Sequence, residues 1–177
     1  MRIISGKLKG KYIAFPKNFH SRPTTDRARE ALFSIIDSQY EFDGLKVLDL
    51  FFGTGSISLE FISRGSSRVV SVDNNFHSIK HLNKFIDGEK VENIQTLKSD
   101  YKTFIQNNQE QFDIIFADPP FDMPEVEEIP DLIFSSDCLT EIGTLIVEHS
   151  DRIDFSSHPK FVDLRRYGGV NFSFFEV

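Results

Sequence analysis

The sequence predicts an α/β fold: a seven-stranded, mostly parallel sheet with helices on both faces, a C-terminal antiparallel hairpin, and a small β-hairpin at the N-terminus. Three observations carry it. Short apolar, β-branched runs alternate with segments of helical period, the pattern of parallel strands joined by crossover helices. Four of those runs end in an aspartate: Asp49, Asp73, Asp100 and Asp118. The last two runs are joined by Gly168-Gly169 alone, and so short a link connects only antiparallel neighbours.

At 177 residues the chain has room for one well-packed domain. Within it, residues 1–23 read as a basic hairpin and loop, and residues 24–177 as a helix plus the α/β body. Charged residues at 27% and hydrophobic ones at 40% are ordinary globular values. No apolar run is long enough to span a bilayer, and the start Met1-Arg2-Ile3-Ile4-Ser5-Gly6-Lys7 lacks the apolar centre of a signal peptide, so a cytoplasmic protein with no membrane partner is expected. The single cysteine, Cys138, excludes an internal disulfide and has no partner at zinc-ligand spacing; no metal is expected. Phe occurs 19 times and Trp never, so most of those rings must lie in the core.

Taken in order, Arg2–Ser5 and Lys11–Ala14 are β-prone runs joined by Gly6-Lys7-Leu8-Lys9-Gly10, which suggests a hairpin. Pro16 ends the second run, and Asn18 to Pro23 reads as a loop. From Thr24 a hydroxyl cap, first-turn acids and apolar positions 28, 31, 32, 35 and 36 predict a helix, with Arg27 and Arg29 on its polar face beside Arg22. Leu45–Phe51 is a strand, which Gly53-Thr54-Gly55 turns into a helix from Ser56 to about Gly65. Strand, Gly-x-Gly turn and helix form an entry for a nucleotide: glycines let the backbone approach the ligand, and the helix start offers N–H donors. A dinucleotide fingerprint wants a third glycine where Ser58 stands, which weakens an NAD reading.

Arg68–Asp73 is the second strand. Its terminal carboxylate either accepts both hydroxyls of a ribose or caps the next helix. Asn93–Asp100 is the third, and Asp100 either accepts from an adenine amine or caps the helix beginning at Tyr101. Phe112–Ala117 is a buried parallel strand that Pro119 and Pro120 must end, since proline has no N–H for a ladder. All four acids then sit at the carboxyl edge of the sheet, where ligands of open α/β sheets bind, and are expected to face one crevice. The segment Asp118-Pro119-Pro120-Phe121 holds a carboxylate and two carbonyls in a stiff bend beside an aromatic ring, able to accept from and stack on a planar, amine-bearing ring; a plain strand-ending loop is the alternative. A helix is expected from Val126 to about Phe134, a fifth strand over Gly143–His149, and the closing pair over Phe161–Tyr167 and Val170–Val177.

Charge is unevenly placed. The net charge is −7, yet residues 1–30 carry Arg2, Lys7, Lys9, Lys11, Lys17, Arg22, Arg27 and Arg29 against only Asp26 and Glu30, whereas Asp122 to Glu141 holds seven acids and no Lys or Arg. A basic arm on an acidic body suits a protein that meets a polyanion on one face; a solvated hairpin without a partner is the alternative.

These residues also carry a family resemblance. The Asp49-Leu50-Phe51-Phe52-Gly53-Thr54-Gly55 turn, the strand-end acids, the Asp-Pro-Pro-aromatic segment and the terminal hairpin resemble Rossmann-like class I S-adenosylmethionine-dependent methyltransferases acting on exocyclic amines. Arg2–Lys7 together with Arg22-Pro23-Thr24-Thr25-Asp26-Arg27-Ala28-Arg29-Glu30-Ala31-Leu32-Phe33 is similar to the RsmD family, bacterial guanine-N2 methyltransferases of 16S rRNA. The resemblance spans essentially the whole chain. It implies S-adenosyl-L-methionine as cofactor, with Gly53 and Gly55 at its methionine moiety, Asp73 at the ribose, Asp100 at the adenine amine, and Asp49, Phe51, Asn74 and Tyr101 around it. It implies that Asp118, Pro119, Pro120 and Phe121 hold the target base. It further implies ribosomal RNA as partner, met by Arg2, Lys7, Lys9, Lys11, Arg22, Arg27 and Arg29, and a monomeric enzyme is the default. Phe52 stands where the family has a small residue, and Phe121 where tyrosine is commoner. Rival readings are an amine methyltransferase for DNA adenine or protein glutamine, an NAD-dependent oxidoreductase, and a non-catalytic RNA-binding module.

Overall fold

A computed structural model describes residues 1–14 and 24–177. The loop expected over 18–23, with Arg22, lies outside the described residues. The body is one seven-stranded sheet built from β1 (Lys46–Leu50), β2 (Arg68–Asp73), β3 (Ile94–Lys98), β4 (Phe112–Ala117), β5 (Leu139–His149), β6 (Phe161–Tyr167) and β7 (Val170–Glu176). Their order is β3-β2-β1-β4-β5-β7-β6. The first five strands pair in parallel, while β7 runs antiparallel to both β5 and β6, as the two-glycine link requires. Strand order reverses between β1 and β4, and the switch point opens at their carboxyl ends.

Helices α1 (Asp26–Gln39), α2 (Ser56–Arg64), α3 (Phe76–Glu89), α4 (Tyr101–Asn107) and α5 (Ile129–Phe134) divide between the two faces. One core gathers α1, α2 and α3 around Phe33, Phe61, Phe116 and Phe172; the other gathers α4 and α5 around Phe112, Ile115, Leu145 and Phe175. Alternate residues of β4 and β5 enter opposite cores, which is why those strands read as unbroken apolar runs. The helix expected from Val126 begins as a 3₁₀ turn over Val126–Glu128 and becomes α-helical at Ile129, with Pro130 in its first turn, where a missing N–H costs nothing. Strand β5 starts earlier than expected, at Leu139, because Leu139 pairs with Phe112, and the extra residues before Thr144, which pairs with Ile114, bulge out of β5.

The expected N-terminal hairpin is present and small, with one antiparallel bridge, Arg2 with Tyr12, flanked by Ile3 N–H to Lys11 carbonyl (3.0 Å) and Ile13 N–H to Met1 carbonyl (2.9 Å). One expectation about this part is corrected. Arg29 is not on a polar face. It lies two residues from Arg27, on the other side of α1, in a buried stripe with Ala28, Leu32, Phe33 and Ile36, and is 0% exposed. Its Nη2 donates to Asp26 Oδ1 (2.9 Å) and to the Arg2 carbonyl (2.6 Å). Buried Glu60 of α2 stands nearby, accepting from the N–H groups of Ile4 (2.9 Å) and Ser5 (3.0 Å) and from Arg64 Nε (3.0 Å). Arg29 therefore anchors the N-terminal segment to the body, its charge facing Asp26 and, at 3.9 Å, Glu60 rather than solvent.

Candidate active site

The turn after β1 is made by backbone that few side chains tolerate. Phe51, Gly53 and Gly55 have φ of 60°, 50° and 74°. A Cβ on Gly55 would come within 2.8 Å of the Leu82 side chain of α3, so the glycine serves close packing as well as conformation. Beneath this turn Asp49 is 1% exposed. Its Oδ2 accepts from the Ser58 N–H (3.0 Å) and from the Ser58 hydroxyl, which also meets the Ser71 hydroxyl of β2 at 2.7 Å. Burial, partly opposed by the Ser58 bonds, pushes the Asp49 carboxyl up to about 7. Asp49 thus ties α2 to β1 from below. Its other oxygen, Oδ1, is buried without a hydrogen-bond partner among the described residues. Ser58, in the place of a third glycine, uses its hydroxyl to make the helix–strand contact that a glycine would make by closeness.

Asp73 lies at the end of β2 with Oδ2 accepting from Gly53 N–H (2.8 Å) and Oδ1 from Asn75 N–H (2.8 Å). Its carboxyl is raised by burial against the lowering effect of those backbone donors. Asp73 is not the helix cap; Asn75 is, through its side chain to His77 N–H. The Asn74 N–H also acts on this carboxylate, so three backbone donors converge on it. Asp100 does cap its helix: Oδ1 accepts from the N–H groups of Lys102 (3.0 Å) and Thr103 (3.2 Å). The Tyr101 ring packs 4.9 Å from that of Phe51. Phe51, Asp73, Asn74, Asp100 and Tyr101, with Val72 and Ser99, line one shallow pocket beside the glycine turn. A roomier open groove of about 490 Å³ runs along β3 and α4, but Gln95, Leu97, Phe104 and Asn107 line it and none of the four strand-end acids does; Ser99 borders both.

Asp118 stands on the far side of β1. It is half-buried, and its backbone N–H donates to the Leu50 carbonyl (3.3 Å). Its carboxyl is raised well above the usual carboxylate range, by burial first, then by Glu148 and Asp49. Asp73 and Asp100 line the pocket, Asp49 lies beneath the turn within electrostatic reach of Asp73 and Asp118, and Asp118 stands beside Glu148. Pro119 is buried, and Phe121 is 74% exposed with the Arg152 guanidinium 5.3 Å from its ring centre. Thr24 Oγ1 donates to Glu148 Oε2 (2.8 Å), and burial raises Glu148 to about 7. Sequence reasoning passed over Glu148, Thr24 and Arg152. Glu148 carried the signal that marked the other acids, a carboxylate closing an apolar run; nothing local marks Arg152.

Among the expected RNA contacts, Arg2, Lys7, Lys9 and Arg27 are exposed, and Lys11 is half-buried in an ion pair with Glu89. The loop carrying Lys7 and Lys9 is fixed to Ser63, near the C-terminal end of α2, by Lys7 N–H to the Ser63 carbonyl (2.7 Å) and Leu8 N–H to Ser63 Oγ (2.9 Å). At 1.5 Å per residue that end lies roughly 10 Å along the helix from the glycine turn.

A switched parallel sheet with a glycine turn, strand-end acids flanking it and an Asp-Pro-Pro-Phe bend is the arrangement of a class I methyltransferase. The model of the family described as "Conserved hypothetical protein 95" matches residues 1–176. The chain belongs to this family, that of the RsmD methyltransferases. It is 30% identical over 153 residues to the ribosomal RNA small subunit methyltransferase D of Escherichia coli K12, covering 84% of this chain and 74% of that one. It is 28% identical over 160 residues to the enzyme of the same name from Haemophilus influenzae, covering 84% and 78%. In fold it is similar to protein TTHA0928 of Thermus thermophilus, with a TM-score of 0.88 at 24% identity over 100% of this chain and 99% of that one. It is also similar to SMU.776, solved as a complex with SAH, with a TM-score of 0.67 at 17% identity over 85% and 48%.

Proposed function

We propose that this enzyme transfers a methyl group from S-adenosyl-L-methionine to the exocyclic N2 amine of a guanine in 16S ribosomal RNA. The observation that carries the reading is the position of Asp118-Pro119-Pro120-Phe121 at the carboxyl end of β4, one strand from the pocket of Phe51, Asp73, Asn74, Asp100 and Tyr101. The residues fit the cofactor. Asp73, with three backbone donors on about four lone-pair sites, has acceptor capacity left for a ribose hydroxyl, Gly53 and Gly55 present bare backbone, and the Phe51 and Tyr101 rings offer apolar surface for adenine. When bound, S-adenosylmethionine supplies an electrophilic methyl on a positive sulfur.

The protein's own contribution is orientation. The lone pair of guanine N2 is delocalised into the ring, and acceptors that hold its hydrogens favour a more tetrahedral, nucleophilic nitrogen. The Asp118 carboxylate and the Pro119 carbonyl are acceptors of that kind. Phe121 stacks on the base, worth about 1–3 kcal/mol. As N2 bonds to the methyl carbon the carbon–sulfur bond breaks, and the extra proton on N2 passes to Asp118 or to water. Because this edge of guanine is hidden in a duplex, the nucleotide must be unpaired or flipped. Arg2, Lys7, Lys9, Lys11 and Arg27 supply phosphate contacts, the protein acts as a monomer of one domain in the cytoplasm, and no metal is required.

The test is mass spectrometry of nucleosides from small-subunit rRNA incubated with the protein and S-adenosylmethionine, the rRNA coming from cells that lack the gene. N2-methylguanosine is expected. A methyl group on adenosine, or none, overturns the reading.

A further inference from the structure

The partner of Asp118 is an acid, and the register of the sheet puts it there. Ala117 of β4 pairs with Val147 of β5, so the residues that follow, Asp118 and Glu148, project to the same side of the sheet at adjacent strand ends. Two half-buried carboxylates at neighbouring positions oppose each other's ionisation, and each is raised by its burial. Among the described residues the compensation is small: Thr24 donates to Oε2 of Glu148, and no side-chain hydrogen bond reaches Asp118. Ionised, as above the raised values of the two groups, such a pair has acceptors to spare and wants donors. A fold seeking stability alone would fill the position with an apolar residue, as it does at Val147 and Ile146.

Guanine offers the complementary edge. Its N1–H and N2 amine are adjacent donors, whereas adenine, and any purine without the N1 proton, turns a lone pair toward the same place. We propose that Glu148 determines base choice: its carboxylate, steered by Thr24, accepts the N1–H of the target guanine while Asp118 accepts from the N2 amine. This deepens the reading above and rests on it. A lone pair facing Glu148 leaves a buried carboxylate opposed by a second acceptor, the arrangement that gives polar sites their strongest discrimination.

The experiment uses 2-aminopurine, which keeps the N2 amine and lacks the N1–H. The full-length protein is given S-adenosylmethionine and ligated small-subunit rRNA with either guanosine or 2-aminopurine riboside at the nucleotide mapped by mass spectrometry, and kcat/KM is measured for each. The wild type should prefer guanosine by about 100-fold. Glu148→Gln, nearly isosteric and able to donate to a bare N1, should cut that preference tenfold or more; Glu148→Asp, which withdraws the carboxylate by one methylene, should cut it in the same direction. Affinity for S-adenosylhomocysteine should match wild type in both, and both should unfold cooperatively. An unchanged preference in folded Glu148→Gln and Glu148→Asp overturns the assignment of Glu148 while leaving the guanine-N2 activity intact. Failure of the wild type to methylate guanosine overturns both.

Discussion

Asp118 and Asp49 are both aspartates at the carboxyl end of parallel strands, both have raised carboxyls, and they do different work. Asp118 is half-buried beside Glu148; Asp49 is sealed under α2 with one oxygen satisfied by Ser58. Asp118→Ala should therefore lower kcat by about 10²–10³-fold, the scale for losing a positioned group in a transition state, while S-adenosylhomocysteine affinity measured by calorimetry stays within a factor of two. Equal loss of both would place Asp118 in the cofactor pocket instead. Asp49, Asp118 and Glu148 all have folded-state values above those of an unfolded chain, so their contribution to stability is fully present below about pH 4 and is lost as pH rises through each folded value, about 7 for Asp49 and Glu148. Urea denaturation should show stability falling between pH 5 and 8. Asp49→Asn, which keeps an acceptor for Ser58 and removes the buried charge, should flatten that fall by on the order of 2–3 kcal/mol.

At the scale of elements, the N-terminal segment is held by backbone contact rather than by a sheet. A Cβ on Gly6 would lie 1.8 Å from the Ser63 carbonyl oxygen at the end of α2, and Gly6 itself has φ of 78°. Gly6→Ala should therefore cost roughly 2–4 kcal/mol of stability, read as a shift in denaturation midpoint, because neither the helix backbone nor the turn can yield. Glu60 and Arg29 complete the attachment, and their place shows where sequence reading stopped. The start of α1 at Asp26 after a Thr25 cap was legible, since capping is local chemistry. The burial of Arg29 was not: an arginine beside other arginines reads as surface, and only the approach of α2 with Glu60, encoded some thirty residues later, makes the interior habitable for it. The hairpin was legible as a reversal at Gly6–Gly10, but its single bridge depends on docking to α2.

At the scale of the molecule, charge separates a basic N-terminal part from an acidic body, and the exposed cations Lys7 and Lys9 lie at the far end of α2 from the glycine turn. RNA long enough to reach both would meet them only through phosphate. Replacing Lys7, Lys9 and Lys11 by Ala should weaken RNA binding and reduce the salt slope of log K by about one unit for each lysine–phosphate pair removed, with kcat at saturating RNA unchanged. A slope equal to wild type would leave the hairpin as a solvated surface.

The sequence by itself determined the alternation of strands and helices, the antiparallel close at Gly168-Gly169, the glycine turn, the strand-end acids and the Asp-Pro-Pro-Phe bend, because periodicity, turn chemistry and missing N–H groups act within a few residues. Only the tertiary structure decided which acids share a site. Strand register set Glu148 beside Asp118, the packing of α2 enclosed Asp49, and the strand order carried Asp73 and Asp100 to one pocket. Those are relations between segments far apart in the chain, fixed by the pairing and packing of whole elements, and no local pattern encodes them.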